Sequence, residues 1–231
     1  MRACLQALGW LVLAAPAGAT AASGVEEVVA LEQAGQDEAA LAKAEELSQK
    51  VPPSALPHLE AARLALKLGH DSAGVERHLE VARTLAPDNP RVRYLMALAK
   101  ETQGNDAAAR ALYLEAIALR ASYTEARSRL AALAIRTRDW ALAEVQLRML
   151  VALGERSFGR RLQLAHVLEE AGKSSQAETV LVTLHREQPN NAAVTTALAD
   201  FYERHDRMKE AVALRHAAAA KKLRPLQPSR R

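Results

Sequence analysis

From Pro90 to Tyr123 the apolar residues fall into two helical stripes separated by a polar break. Over Val92 to Thr102, Leu95, Met96, Leu98 and Ala99 lie in one stripe that no proline interrupts, which predicts a first helix. Gly104, Asn105 and Asp106 end it. Asp106 is the expected N-cap of a second helix, Ala107 to Leu119, whose face is Ala108, Ala109, Leu112, Ala116 and Leu119 at three- and four-residue spacings. Joined by so short a turn, the two helices must run antiparallel.

Sliding the chain by 34 residues aligns Met96, Leu130, Leu164 and Leu198, then Ala97, Ala131, Ala165 and Ala199, then Ala109, Ala143, Ala177 and Ala211. No gap is needed to keep these columns in step. Two helices approach closely only where the facing side chains are small, and here the same two columns are alanine in all four of these copies. A single helical hairpin cannot cover its own apolar faces, so neighbouring copies have to stack.

The spacing resembles the tetratricopeptide repeat, a 34-residue helix-turn-helix unit patterned Trp-x2-Leu-Gly-x2-Tyr, then Ala-x3-Phe, then Pro. The resemblance implies an all-α, right-handed superhelical solenoid of about six repeats and about twelve helices. Six copies are expected at about residues 23–54, 55–89, 90–123, 124–157, 158–191 and 192–222. The first is divergent, and fraying and capping are both open to it. The second carries one extra residue around His70 to Ser72.

Several of the family's columns are altered. Its tryptophan position holds Arg93, Arg127, Arg161 and Thr195, its tyrosine position Lys100, Ala134, Leu168 and Tyr202, and its phenylalanine position Tyr113, Leu147, Leu181 and Arg215. Closing prolines remain at Pro52, Pro87 and Pro189, with Ala121 and Glu155 elsewhere. The three arginines 34 apart would form a ladder along one edge. They either meet acidic ligand groups, or each pairs with a neighbouring glutamate or lies in water.

Composition agrees with packed helices. Of the 231 residues 49% are apolar and only 3% aromatic, with alanine and leucine, both strong helix formers, supplying the bulk. The net charge of +4 is unevenly placed. Residues 24–90 carry 12 acidic and 6 basic side chains, residues 91–220 carry 15 and 19, and five more basic residues follow from Lys221 onward.

The first 22 residues resemble a secretory signal peptide. Arg2 precedes an apolar stretch from Leu5 to Ala15, Pro16 ends it, and the small residues that follow offer A-x-A cleavage sites at Ala17-Gly18-Ala19 and Ala19-Thr20-Ala21. The apolar run is shorter than the ~20 residues of a bilayer span. Cys4, the single cysteine, lies before that run, so lipidation there is not expected and cleavage removes all thiol chemistry. The expected location is therefore the periplasm or envelope. Residues 223–231 are expected to form a disordered basic tail with prolines and no aromatic residues, suited to weak contact with anionic lipid or polysaccharide and not to nucleic acid.

Catalytic signatures are missing from the sequence. The seven histidines include no H-x-x-x-H pair, and neither a phosphate-cradling G-x-x-x-x-G-K-[ST] nor a G-x-S-x-G nucleophile turn occurs. No metal or cofactor is expected. The resemblance instead implies recognition of an extended peptide or helix in a concave groove lined by the first helix of each pair. Its lining here would be Arg91, Tyr94, Leu98 and Glu101, then Ser128, Arg129, Ala132 and Arg136, then Leu162, Gln163, His166 and Glu169, then Thr196, Asp200 and Glu203. The lysine and asparagine set that grips a C-terminal carboxylate in chaperone cofactors is not reproduced. Two functions fit: a non-enzymatic scaffold for an envelope machine such as a pilus, secretion, motility or polysaccharide-export apparatus, or a periplasmic holdase for an unfolded client such as an apocytochrome.

Overall fold

The computed structural model describes residues 17–222 apart from 51, 155 and 156, with backbone alone at 17–23 and 220–222. The charged and apolar parts of the expected signal segment and the basic tail at 223–231 lie outside the described residues. Among the described residues the chain is all-α, with twelve helices and no strand. They are α1 (Ala17–Gln33), α2 (Asp37–Ser48), α3 (Ala55–Leu68), α4 (Ser72–Leu85), α5 (Pro90–Thr102), α6 (Asp106–Leu119), α7 (Thr124–Arg136), α8 (Trp140–Ala152), α9 (Phe158–Glu170), α10 (Ser174–Glu187), α11 (Ala192–Arg204) and α12 (Met208–Lys222). Helical backbone in α1 runs through residues 20–23, where the sequence places the cleavage point.

The chain divides into two compact units, one ending at Leu119 and the other beginning at Arg120. In the first, α1 packs on α2, α3 on α4 and α5 on α6, while α2 and α4 also pack on the helix that follows each and α1, α3 and α5 touch in succession. The second unit repeats this arrangement with α7–α12: within the pairs, from α8 to α9 and α10 to α11, and between the first helices α9 and α11. Each unit has its own core. In the first, Val28, Leu41, Leu59, Leu64, Leu79 and Leu95 are joined by seven alanines. In the second, Leu147, Leu150, Leu168, Leu181, Leu198 and Phe201 are joined by seven more.

The alanine columns lie where the periodicity puts them. Ala97 with Ala109 in the first unit, and Ala131 with Ala143, Ala165 with Ala177 and Ala199 with Ala211 in the second, are all at most 2% exposed. Tyr113, Leu147 and Leu181 fill the family's phenylalanine column and are buried. Arg215, the fourth member, is exposed on the last helix and meets Asp200 and Glu203 of α11.

One feature of the turns goes beyond the sequence pattern. After the first helix of every pair, one residue takes left-handed backbone: Gly35, Gly69, Gly104, Arg138, Gly172 and Asp206. The next amide in each turn reaches back five residues, as in Asn105 N to Lys100 O at 2.9 Å, Asp139 N to Ala134 O at 2.8 Å and Arg207 N to Tyr202 O at 2.8 Å. This is the Schellman closure, in which glycine is favoured because an added Cβ crowds the following carbonyl. The second pair has two residues, His70 and Asp71, between Gly69 and the start of α4, where the third pair has only Asn105; this is the extra residue.

Caps on the described helices are mostly Asn, Asp or Ser. Asn89 accepts from Arg91 N at 2.9 Å beside Pro90 at the first helical position, Asp139 from Leu142 N at 3.1 Å and Asn191 from Ala193 N at 3.1 Å. For α6 the expected cap is corrected. Asn105 Oδ1, not Asp106, accepts from Ala108 N at 3.1 Å, and Asp106 is the first helical residue, where its charge complements the helix dipole.

Within each unit, ion pairs tie neighbouring repeats together. Glu32 on α1 receives a two-pronged contact from Arg63 on α3, with Nη1–Oε1 at 2.9 Å and Nη2–Oε2 at 2.6 Å, and Lys67 adds a third at 3.0 Å. Arg91 to Glu60 in the first unit, and Lys173 to Glu144 and Arg207 to Glu178 in the second, bridge repeats in the same manner. The hydrogen bond from Arg63 outweighs burial and holds the Glu32 carboxyl at about 2, well under the ordinary value of 4.5.

Three measurements check this account. Ala131→Leu and Ala165→Leu each overpack a helix pair and lower the unfolding free energy by ~1–3 kcal/mol in urea titrations. Arg138→Gly relieves left-handed strain at the cost of a floppier unfolded chain, so it leaves stability unchanged or raises it by up to ~1 kcal/mol, while Gly104→Ala lowers it by about 1 kcal/mol. Because the folded Glu32 pKa is depressed, its ion pair contributes fully above pH 4.5 and is lost as pH falls towards about 2. Acid unfolding curves over that window are therefore shallower for Glu32→Gln than for the parent chain.

Candidate functional site

In the second unit the first helices of adjacent pairs, α9 and α11, enclose an open hollow of about 200 Å³. Leu162, Ala165, Leu181 and Ala197 make its apolar floor, and His166, Glu169, Asp200 and Arg204 make its polar rim. The helical period explains the grouping. Leu162, His166 and Glu169 are four and three residues apart, so they share one face of α9, and Ala197, Asp200 and Arg204 do the same on α11. Four of the groove residues expected from sequence, Leu162, His166, Glu169 and Asp200, are thus brought together.

The rim is electrostatically committed. Glu169, only 14% exposed at its side chain, takes Arg204 Nε on Oε1 and Arg204 Nη2 on Oε2, both at 2.8 Å. This two-pronged contact holds the Glu169 carboxyl below the ordinary carboxylate range against an opposing push from burial. Glu169 is therefore ionised at neutral pH and cannot serve there as a proton donor. Asp200 Oδ1 lies 2.8 Å from Arg215 Nη2, and the same guanidinium also meets Glu203. His166 is exposed, with the Trp140 ring edge-on at 6.2 Å between centroids. Trp140 itself heads α8 half-buried against the core, in keeping with a packing role.

The other expected lining residues of this unit have varied surroundings. Arg160 joins two of them, its Nη2 donating to Ser128 Oγ at 2.9 Å and its Nη1 to Gln163 Oε1 at 3.1 Å. Arg129, Ala132, Arg136 and Thr196 are exposed. In the first unit Arg91 is drawn to Glu60 at 2.7 Å, Leu98 packs on the core, and Tyr94 lies against Tyr113 with ring centroids 6.0 Å apart. Tyr113 in turn donates to Glu101 Oε2 at 2.6 Å.

Two arginines of the ladder pair with neighbouring glutamates and the third with other groups of the chain. Arg93 meets Glu115 at 2.9 Å and Arg161 meets Glu187 at 2.5 Å, each bracing the first helix of a pair to the second. Arg127 is buried and donates to Ala121 O through Nε and Nη2 at 2.9 and 2.7 Å and to Gln146 Oε1 at 2.8 Å. These guanidiniums hold the fold together.

Sequence spacing alone did not single out Arg160, Arg204 or Arg215, which orient the lining carboxylates and amides. A usable signal exists: Glu32 to Lys67 and Glu169 to Arg204 are each separated by 35 residues, about one repeat. Among the described residues no cluster of three or more His, Cys, Asp or Glu side chains is placed to hold a metal ion. Nor is any described helix long and apolar enough to cross a membrane.

No family model and no curated protein matches the sequence. Solved structures do match in shape. A tetratricopeptide repeat protein from Parabacteroides merdae ATCC 43184 is 16% identical with a TM-score of 0.63, covering 88% of this chain and 80% of its own. PilF of Pseudomonas aeruginosa is 15% identical with a TM-score of 0.67, covering 85% and 89%. MamA from Desulfovibrio magneticus RS-1 is 17% identical with a TM-score of 0.60, covering 72% and 93%. Together with the 34-residue period, the buried alanine columns and the stacked helix pairs, these likenesses establish that this chain has the tetratricopeptide-repeat fold.

Proposed function

We propose that this chain is a non-enzymatic protein-interaction scaffold of the bacterial periplasm or envelope, which grips a segment of a partner protein and helps assemble or stabilise a multiprotein machine. The observation that carries the reading is the α9/α11 hollow, an apolar floor with a charged rim already satisfied by internal pairs. Such a surface suits an amphipathic segment. An apolar side chain of the partner covers Leu162 and Ala197, while its polar groups meet His166 and the outer edges of the Glu169–Arg204 pair. The expected groove residues of the first unit, Arg91, Tyr94, Leu98 and Glu101, belong to the same reading as a further stretch of partner-facing side chains.

Support for a binding role comes from the fold shared with PilF and MamA and from the missing catalytic motifs. Support for export comes from the signal-like first 22 residues. A pilus, secretion, motility or polysaccharide-export apparatus is the class of machine that fits an exported helical-repeat scaffold.

The reading is checked by in-cell photocrosslinking from a photoreactive residue in place of exposed His166. The expected result is one adduct, with a component of a folded envelope complex, that disappears when Leu162→Asp is added and that co-purifies at fixed stoichiometry. Adducts with many unfolded chains would point to a holdase. Labelling no stronger than from the same residue at His216 on α12 would overturn the groove.

A further inference from the structure

A second cluster lies in the first unit, away from every residue used above. His58 on α3 and His78 on α4 face each other with Nδ1 atoms 3.0 Å apart. Their ring centroids are 5.3 Å apart with planes inclined at 50°, so the two Nδ1 atoms are the nearest points of the rings. Both rings open on a hollow of about 310 Å³ between α2, α3 and α4, with Glu45 and Gln49 on one wall and Arg77 on another. His58 is buried at 8% exposure and His78 is half-buried.

We propose that His58 and His78 form a two-imidazole site that takes up one late first-row transition-metal ion, Zn²⁺, Ni²⁺ or Cu²⁺, exchangeably, with water in the remaining positions. Bond lengths support it. The 3.0 Å contact is a hydrogen bond in which one Nδ1–H points at the other Nδ1, so uptake breaks it and turns both rings to aim their lone pairs at the ion; at metal–nitrogen distances of about 2.0–2.1 Å two ligands at ordinary angles lie about 3.0–3.4 Å apart, so the nitrogens have little further to separate. Imidazole suits these ions, and the hollow supplies room for water where the protein offers only two nitrogens.

The proton balance is favourable. Burial, then the neighbouring ring, lowers the His58 pKa, and burial lowers that of His78, opposed by Glu45 and reinforced by Arg77. At neutral pH each ring therefore carries one proton. When the cation takes both Nδ1 atoms, the proton that one ring held there moves to its own Nε2, so the rings bind metal without net proton release. The nearby charges, Glu45 from α2 and Arg77 beside His78 on α4, oppose one another at the site. Two imidazoles fall short of the three or four protein ligands of a resident zinc centre, which is why uptake is exchangeable.

Calorimetric titration of the untagged full chain with Zn²⁺ at pH 7.5 tests the site, with Cu²⁺ electron paramagnetic resonance as a second readout. The expected result is one ion per chain, bound at least tenfold more weakly by His78→Gln and unchanged in His216→Gln. The Cu²⁺ spectrum of the parent should carry coupling to two imidazole nitrogens that His78→Gln reduces to one or none. His78→Gln retains a polar side chain at a half-buried position, and its circular dichroism melt verifies folding. Binding that is absent from the parent, or equal in both variants, would overturn the assignment.

Discussion

Two helices can lie closest where nothing larger than a methyl group stands between them, and the four helix pairs from α5/α6 to α11/α12 are organised around that constraint. The columns Ala97 to Ala199 and Ala109 to Ala211 are buried throughout, so the backbones meet at small residues while leucines on either side interlock. Close approach also sets the turn. A short connection between antiparallel helices at small separation demands one residue of left-handed backbone, and six turns supply it at corresponding places.

That demand is met even where the side chain resists it. Arg138 and Asp206 occupy the position that glycine fills in the other four turns, each held by the same backward hydrogen bond from the following amide. The surrounding helix packing over-determines the conformation, so local strain is tolerated without altering the repeat. The family's tryptophan column shows a similar substitution of means. Arg93 and Arg161 brace the pair by an ion pair, and buried Arg127 does so through a carbonyl and an amide.

Polar chemistry on the repeat surface is shaped by stacking. Once copies recur at a fixed interval, an acid on one first helix faces a base about one repeat later, as Glu32 faces Arg63 and Lys67 and Glu169 faces Arg204. Pairs of this kind bind neighbouring repeats and neutralise the charge that a partner would otherwise have to desolvate. What remains at the α9/α11 hollow is an apolar floor beside exposed His166.

The linear order of residues was sufficient to reveal the helix pairs, their 34-residue interval, the buried alanines and the extra residue near His70, because helical periodicity and side-chain size act locally or recur at one spacing. The resemblance to the repeat family, and not the spacing by itself, put Leu162, His166 and Glu169 together among the expected groove residues. The linear order did not reveal that Asn105 rather than Asp106 caps α6, since either side chain could reach a free amide and backbone geometry chose between them. Nor did it reveal that Asp200 and Glu203 are engaged by Arg215, or that His58 and His78, twenty residues apart, meet nitrogen to nitrogen. Those outcomes depend on how far each helix is rotated about its own axis when packed against its neighbours, which only the tertiary structure decides.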